Sequence, residues 1–210
     1  MTRKAGLLLC AAIAYAVGFQ PSAWLRDAVL ASFGNPPYRG VWILIPHALL
    51  YSTLSALICL LLWRALIRMA WLEAMPLAVT RAAVVWGLAG GAATAGATFA
   101  VFAATQPGAI HPPHVNLWLA AANLFSNFYE EFIYRGFLLA ALTAVFGVWP
   151  AAVLSSVAFG ATHVQYPLAF QAFIAFFGLV WCWLVRRTGS LWSAWIAHMG
   201  LDWLADPFIG

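Results

Sequence analysis

Charge is what this chain has least of: only 8% of its 210 residues are Asp, Glu, Lys or Arg, while 65% are hydrophobic. A soluble domain carries roughly 25% charged and 45–50% apolar residues. Ten bases and six acids could not cover the water-facing surface of a fold this small. The composition therefore excludes an ordinary soluble domain, and the solvent it suits is lipid. Cysteine is scarce too: Cys10, Cys59 and Cys182 are odd in number, lie in apolar runs and lack metal-ligand spacing. That excludes a disulfide framework and a structural zinc site, and leaves the three as small apolar fillers. Also missing are Gly-x-Ser-x-Gly, His-Glu-x-x-His and nucleotide-binding motifs, any internal repeat and any low-complexity linker. The formal charge of +4 is no nucleic-acid footprint. Its bases lie mostly between apolar runs, where they set topology, so no nucleic-acid partner is expected.

What is abundant is apolar length. A bilayer core of about 30 Å needs about 20 apolar residues as helix. Seven spans meet or approach that ruler, at 5–24, 41–63, 82–104, 117–141, 148–164, 168–185 and 190–205. The fold expected is an all-α polytopic membrane helix bundle of about seven transmembrane helices. It divides into N-terminal helices over 1–104 and a helical core over 105–210. The first span follows Met1-Thr-Arg-Lys, so a cleaved signal peptide rivals a retained helix. With the N-terminus in the cytoplasm, Arg3, Lys4, Arg64, Arg68, Arg81, Arg186 and Arg187 all fall inside, and Arg26 and Arg39 fall outside. That asymmetry follows the positive-inside tendency. Twelve Trp and six Tyr suit the membrane–water boundary.

Ionisable side chains inside a membrane cost at least ~2.5 kcal/mol each and are functional suspects for that reason. They concentrate in the last ninety residues as Glu130, Glu131, Arg135, His163, His198 and Asp202. Residues four apart share a helix face. Asn123, Asn127, Glu131 and Arg135 thus form one polar stripe, and Ser126, Glu130 and Tyr134 an adjacent one. Glu131 and Arg135 are spaced as an ion pair, with the acid on the favourable N-terminal side. Glu130 has no sequence-local cation, which leaves it for reaction. Phe159 and His163 are four apart in the fifth span, with Ser155 and Ser156 one turn earlier. His198 and Asp202 are four apart in the seventh, and Asp206 continues that row towards solvent. His47, His111 and His114 stand apart from the set; the last two flank Pro112-Pro113 and read as surface histidines. A carboxylate beside an imidazole can activate water against an amide carbonyl. A second histidine can hold the oxyanion that forms.

Three segments in order, Glu130-Glu131-Phe132-Ile133-Tyr134-Arg135, Phe159-Gly160-Ala161-Thr162-His163 and His198-Met199-Gly200-Leu201-Asp202, carry a family likeness. Over roughly 117–206 they resemble the CPBP or Abi family of CAAX prenyl endopeptidases and bacteriocin-immunity proteins, in its bacterial form. The resemblance implies a CAAX-protease-like core and an intramembrane glutamic endopeptidase in a bacterial cytoplasmic membrane. Its substrate would be a peptide or protein with a hydrophobic or membrane-associated tail, and membrane lipid its other partner. It implies Glu130 as the water-activating base with His163 assisting, and His198 and Asp202 as oxyanion stabilisers. Glu131, Arg135 and Phe159 would support them. The family pattern also admits Asn at the last position. An ionised Asp202 cannot donate a hydrogen bond, so orienting His198 or carrying a proton are its alternative roles. No cofactor is implied. A zinc ion on Glu130, His163 and His198 is one rival reading; a non-enzymatic immunity factor or proton-coupled transporter is the other.

Overall fold

The computed structural model describes residues 2–18, 20–37, 39–46 and 53–209. His47 and the middle of the expected 41–63 span lie outside the described residues. The chain is helical without a named strand among those residues. Four helices lead: α1 (Arg3–Gly18), α2 (Gln20–Ser32), the short α3 (Val41–Ile45) and α4 (Thr53–Arg68). The core follows as α5 (Arg81–Thr105), α6 (Leu117–Glu131), a π-helical segment (Phe132–Leu138), α7 (Leu139–Phe146), α8 (Val148–Ala161), α9 (Leu168–Thr188) and α10 (Leu191–Ala205).

Side chains set several of these boundaries. Thr80 accepts from the Ala83 amide at the start of α5. Asn116 accepts from Trp118 and Leu119 at the start of α6, and Ser190 from Trp192 at the start of α10. Each satisfies amides that the first helical turn leaves unpaired. Gly189 ends α9 in the left-handed region at φ 65°, where a side chain would be strained.

Successive core passes run back and forth, joined by short turns. α5 and α10 run side by side in the same direction and touch through backbone. A Cβ on Gly91 would lie 3.0 Å from the Gly200 Cα, and one on Gly87 2.8 Å from the Ile196 Cβ. Small residues four apart allow such contact where no hydrophobic effect drives helices together. Between α8 and α9 the approach is as tight, since a Cβ on Gly160 would meet the Gln171 carbonyl oxygen at 2.5 Å.

Two helices, Arg81–Thr105 and Leu168–Thr188, are long and apolar enough to cross a bilayer unaided. The outer surface remains greasy, with Leu168, Val164, Leu117 and Val79 all well exposed, as a lipid-facing bundle requires. The expected bounds shift in places. The fourth span continues as helix from Leu117 to Phe146 through the π segment. The fifth stops at Ala161, because Thr162 turns out of the helix at ψ −14°.

One end of the molecule collects the bases. α1 starts there, α4 and α9 end there and α5 begins there. Arg3 donates to the Trp71 carbonyl (2.8 Å), Ser190 Oγ to Ala78 O (2.6 Å) and Trp192 Nε1 to Leu77 O (2.8 Å). These bonds lash the α4–α5 loop to α1 and to the α9–α10 turn.

Candidate active site

The two polar stripes expected on the fourth and seventh spans face each other. α6 and α10 run antiparallel, and three pairs bridge them. Asn123 Nδ2 donates to Asp206 Oδ2 (3.2 Å), Asn127 Nδ2 donates to Asp202 Oδ2 (2.7 Å), and Glu131 Oε1 lies 2.9 Å from His198 Nδ1. The four-residue period of a helix produces this ladder, since 123, 127 and 131 share one face and 198, 202 and 206 another. Asp206, at the end of the row, is exposed, as its position predicts.

Glu131 is the junction of the site. The same Oε1 that meets His198 accepts from Arg135 Nη1 at 3.2 Å, and the acid and guanidinium side chains are both fully buried. A buried pair of this kind persists only when neither partner is left alone. Arg135 has a second support, for its Cζ lies 4.1 Å from the centre of the Phe159 ring and 5.0 Å from that of Trp181. Its Nε and Nη2 find no hydrogen-bond acceptor among the described residues, and aromatic faces take part of the charge instead. Gly178 makes room for the guanidinium, because a Cβ there would lie 2.8 Å from Nη2. The π segment begins at the residue after Glu131. Its seven residues, Phe132 to Leu138, are all buried, and the Tyr134 carbonyl accepts from Ser155 Oγ of α8 at 2.7 Å. Such segments recur at functional sites.

His198 is held on both sides. Its Nδ1 faces Glu131, the Trp181 ring stacks on it at 4.1 Å between centroids, and its Nε2 lies 3.9 Å from Glu130 Oε2. That last gap is too long for a direct hydrogen bond and has the span of a water-bridged one. With Nδ1 directed at a carboxylate, the imidazole carries a proton there. Phe159 stands between the two histidines, with centroids 4.8 Å from His163 and 5.9 Å from His198.

His163 departs from its expected place on a helix. It lies beyond the end of α8, in the turn to α9, with Nδ1 3.0 Å from the Phe159 carbonyl oxygen. Among the described residues no hydrogen bond or ion pair joins it to Glu130. The His198 Nδ1 position is held by Glu131, and Asp202 is paired with Asn127.

Phe159, His163, Trp181, His198 and Asp202 line a cavity of about 970 Å³. Its remaining wall is largely apolar, from Val101 and Phe102 of α5 and Phe170, Phe173 and Phe177 of α9. The third and sixth spans supply much of the apolar wall, and Glu130 sits just behind His198 rather than in the lining. Gln106, Tyr166 and Ile209 place the cavity's outer part at the end away from the bases.

Trp181 and Gly178 escaped the sequence reading because the sixth span carries no charge before Arg186, so a search for ionisable residues passes over it. Their spacing from Cys182 was the available signal, as all three share the buried face of α9. His111 and His114 belong to a different feature, their backbone amides donating to Phe208 O and Pro207 O (2.9 and 2.8 Å). Among the described residues no three His, Cys, Asp or Glu side chains are grouped to hold a metal ion.

Residues 112–204 match the family model described as Rce1-like, type II CAAX prenyl endopeptidase. No curated protein and no solved structure matches the chain. The matched segment contains Asn123, Asn127, Glu130, Glu131, Arg135, His163, His198 and Asp202. Over that segment the chain is similar to the CPBP/Abi family, an integral-membrane family of CAAX-type proteases.

Proposed function

We propose that this chain is a glutamic intramembrane endopeptidase that hydrolyses a peptide bond in a hydrophobic or membrane-tethered substrate. The observation that carries the reading is the 3.9 Å gap between Glu130 Oε2 and His198 Nε2, braced from behind by Glu131 and Arg135. Glu130 takes a proton from water lodged at this gap while the water oxygen attacks the scissile carbonyl carbon. His198, as imidazolium, donates from Nε2 to the carbonyl oxygen as it becomes an oxyanion. Glu130 then returns the proton to the leaving amine as the C–N bond breaks. Asp202, fixed by Asn127, accepts a substrate N–H at the cavity wall. His163, with Nδ1–H on Phe159 O, offers Nε2 to the peptide or to the departing amine.

The apolar wall from Phe102 to Phe177 supports a substrate whose flanking residues or tail are greasy. The basic end supports a cytoplasmic N-terminus. No resident metal takes part in this scheme.

The test is cleavage of hydrophobic-tailed peptides by purified protein. Glu130→Gln should lower the rate by about 10²–10⁴-fold while the protein inserts and elutes as wild type does, and chelator should leave the wild-type rate unchanged. Equal rates for wild type and Glu130→Gln would sink the reading. A chelator-sensitive rate restored by zinc would replace it with the metal-dependent one.

A further inference from the structure

At the basic end, separated from Glu130 and His198 by Arg135, which forms part of its lining, lies a second cavity of about 470 Å³. Its mouth is formed by Arg3 of α1, Trp71 and Glu73 of the α4–α5 loop, and Arg186 in the last turn of α9. Trp63 and Ala140 stand deeper, towards the apolar side of α7. The mouth is built rather than incidental. Arg3 is tied to the Trp71 carbonyl (2.8 Å), and Trp63 Nε1 donates to the Glu73 carbonyl at 2.8 Å.

We propose that this cavity binds the phosphodiester headgroup of an anionic phospholipid. Two arginines and one glutamate give the mouth a net charge of +1, which matches a phosphodiester monoanion. Arg135 adds nothing to this sum, because its charge is already set against Glu131. Tryptophans beside the arginines put the site at headgroup depth, and the apolar interior receives the start of the acyl chains. The surrounding end carries Lys4, Arg64, Arg68, Arg81 and Arg187 as well, so it faces the leaflet richest in anionic lipid under the positive-inside tendency. Those five raise the local lipid concentration, and Arg3 with Arg186 provide the seat. The inference rests on the membrane placement alone, not on the proposed catalysis.

The experiment is native mass spectrometry of the full-length detergent-purified protein with added phosphatidylglycerol, phosphatidylcholine or inorganic phosphate. Phosphatidylglycerol should be retained in preference to phosphatidylcholine. Arg3→Gln and Arg186→Gln should each weaken it about fivefold, and the pair about 25-fold. Arg64→Gln with Arg68→Gln removes the same charge from the same end outside the cavity and should leave the retained lipid in place. Equal loss in that control would overturn a discrete site, as would equal retention of the two lipids. Retention of inorganic phosphate with the same arginine dependence would uphold the phosphate chemistry and overturn the lipid as its source. Because neither arginine touches the catalytic cluster, cleavage measured in parallel separates failure of this site from failure of the protease reading.

Discussion

Removing the Arg135 guanidinium is the sharpest test of how the site is held. Arg135→Met keeps most of the aliphatic stem and deletes the charge. It leaves the fully buried Glu131 with His198 as its remaining partner and strips the cation from the Phe159 and Trp181 rings. Breaking a buried pair by removing one member costs about 3–5 kcal/mol. The aromatic contact, worth up to ~2 kcal/mol when desolvated, overlaps that figure because the same group makes both. At about 2–4 °C per kcal/mol for a chain of this length, the melting temperature in detergent should fall by about 6–20 °C. Glu131→Gln should also destabilise, because Glu131 serves two partners. The double variant should lose less than the sum of the singles by at least ~1 kcal/mol, as contacting residues do. Thermal unfolding followed by intrinsic tryptophan fluorescence reads all four corners of the cycle. An unchanged melting temperature for Arg135→Met, or strictly additive losses, would refute the reasoning and show a guanidinium that does not depend on Glu131.

Other consequences can be checked alongside. Gly178→Ala places a methyl 2.8 Å from Arg135 Nη2 and 3.1 Å from the Ser156 Cβ. It should cost about 1–3 kcal/mol and lower cleavage, and a variant as stable and active as wild type would deny the cradle. Asp202→Ala leaves the Asn127 amide with only the weak Met199 Sδ acceptor at 3.4 Å and should cost about 1–3 kcal/mol. Asp202→Asn keeps an acceptor oxygen and should recover most of that stability, in a comparison of melting temperatures. Gly91→Leu, at the Gly200 contact, should reduce folded yield on size exclusion, since backbone rather than a mobile side chain stands in its way. Yield equal to wild type would mean that α5 and α10 can separate.

The sequence made legible whatever carries a period. Hydropathy marked the apolar passes because lipid demands length, and the four-residue rows on spans four and seven foretold the rungs that join α6 to α10. Pairing between rows was the hidden part. Glu131 was expected to serve Arg135 alone, yet it also holds His198, a contact 67 residues distant in the chain. The end of α8 was missed because Ala161-Thr162-His163-Val164 reads as a continuing apolar run, while Thr162 Oγ1 turns back to Phe159 O at 2.7 Å. That turn changes how His163 is presented without changing which side chain it packs on. The role of α9 was hidden for the opposite reason. A glycine and an aromatic face that cradle charge carry none themselves.

The placement of the acids along Leu117–Phe146 also bears on how the protein is made. Glu130, Glu131 and Arg135 lie in the middle of that helix, and each charge at a bilayer centre costs an insertion machinery about 2.5–3.5 kcal/mol. Arg135 can offset Glu131 within the same segment. The imidazole beside Glu130, however, belongs to α10, which is synthesised later. The pass from Leu117 to Phe146 therefore enters the membrane early as an unfinished element. It becomes settled only when α10 arrives with His198, so a later helix licenses a span laid down some sixty residues before.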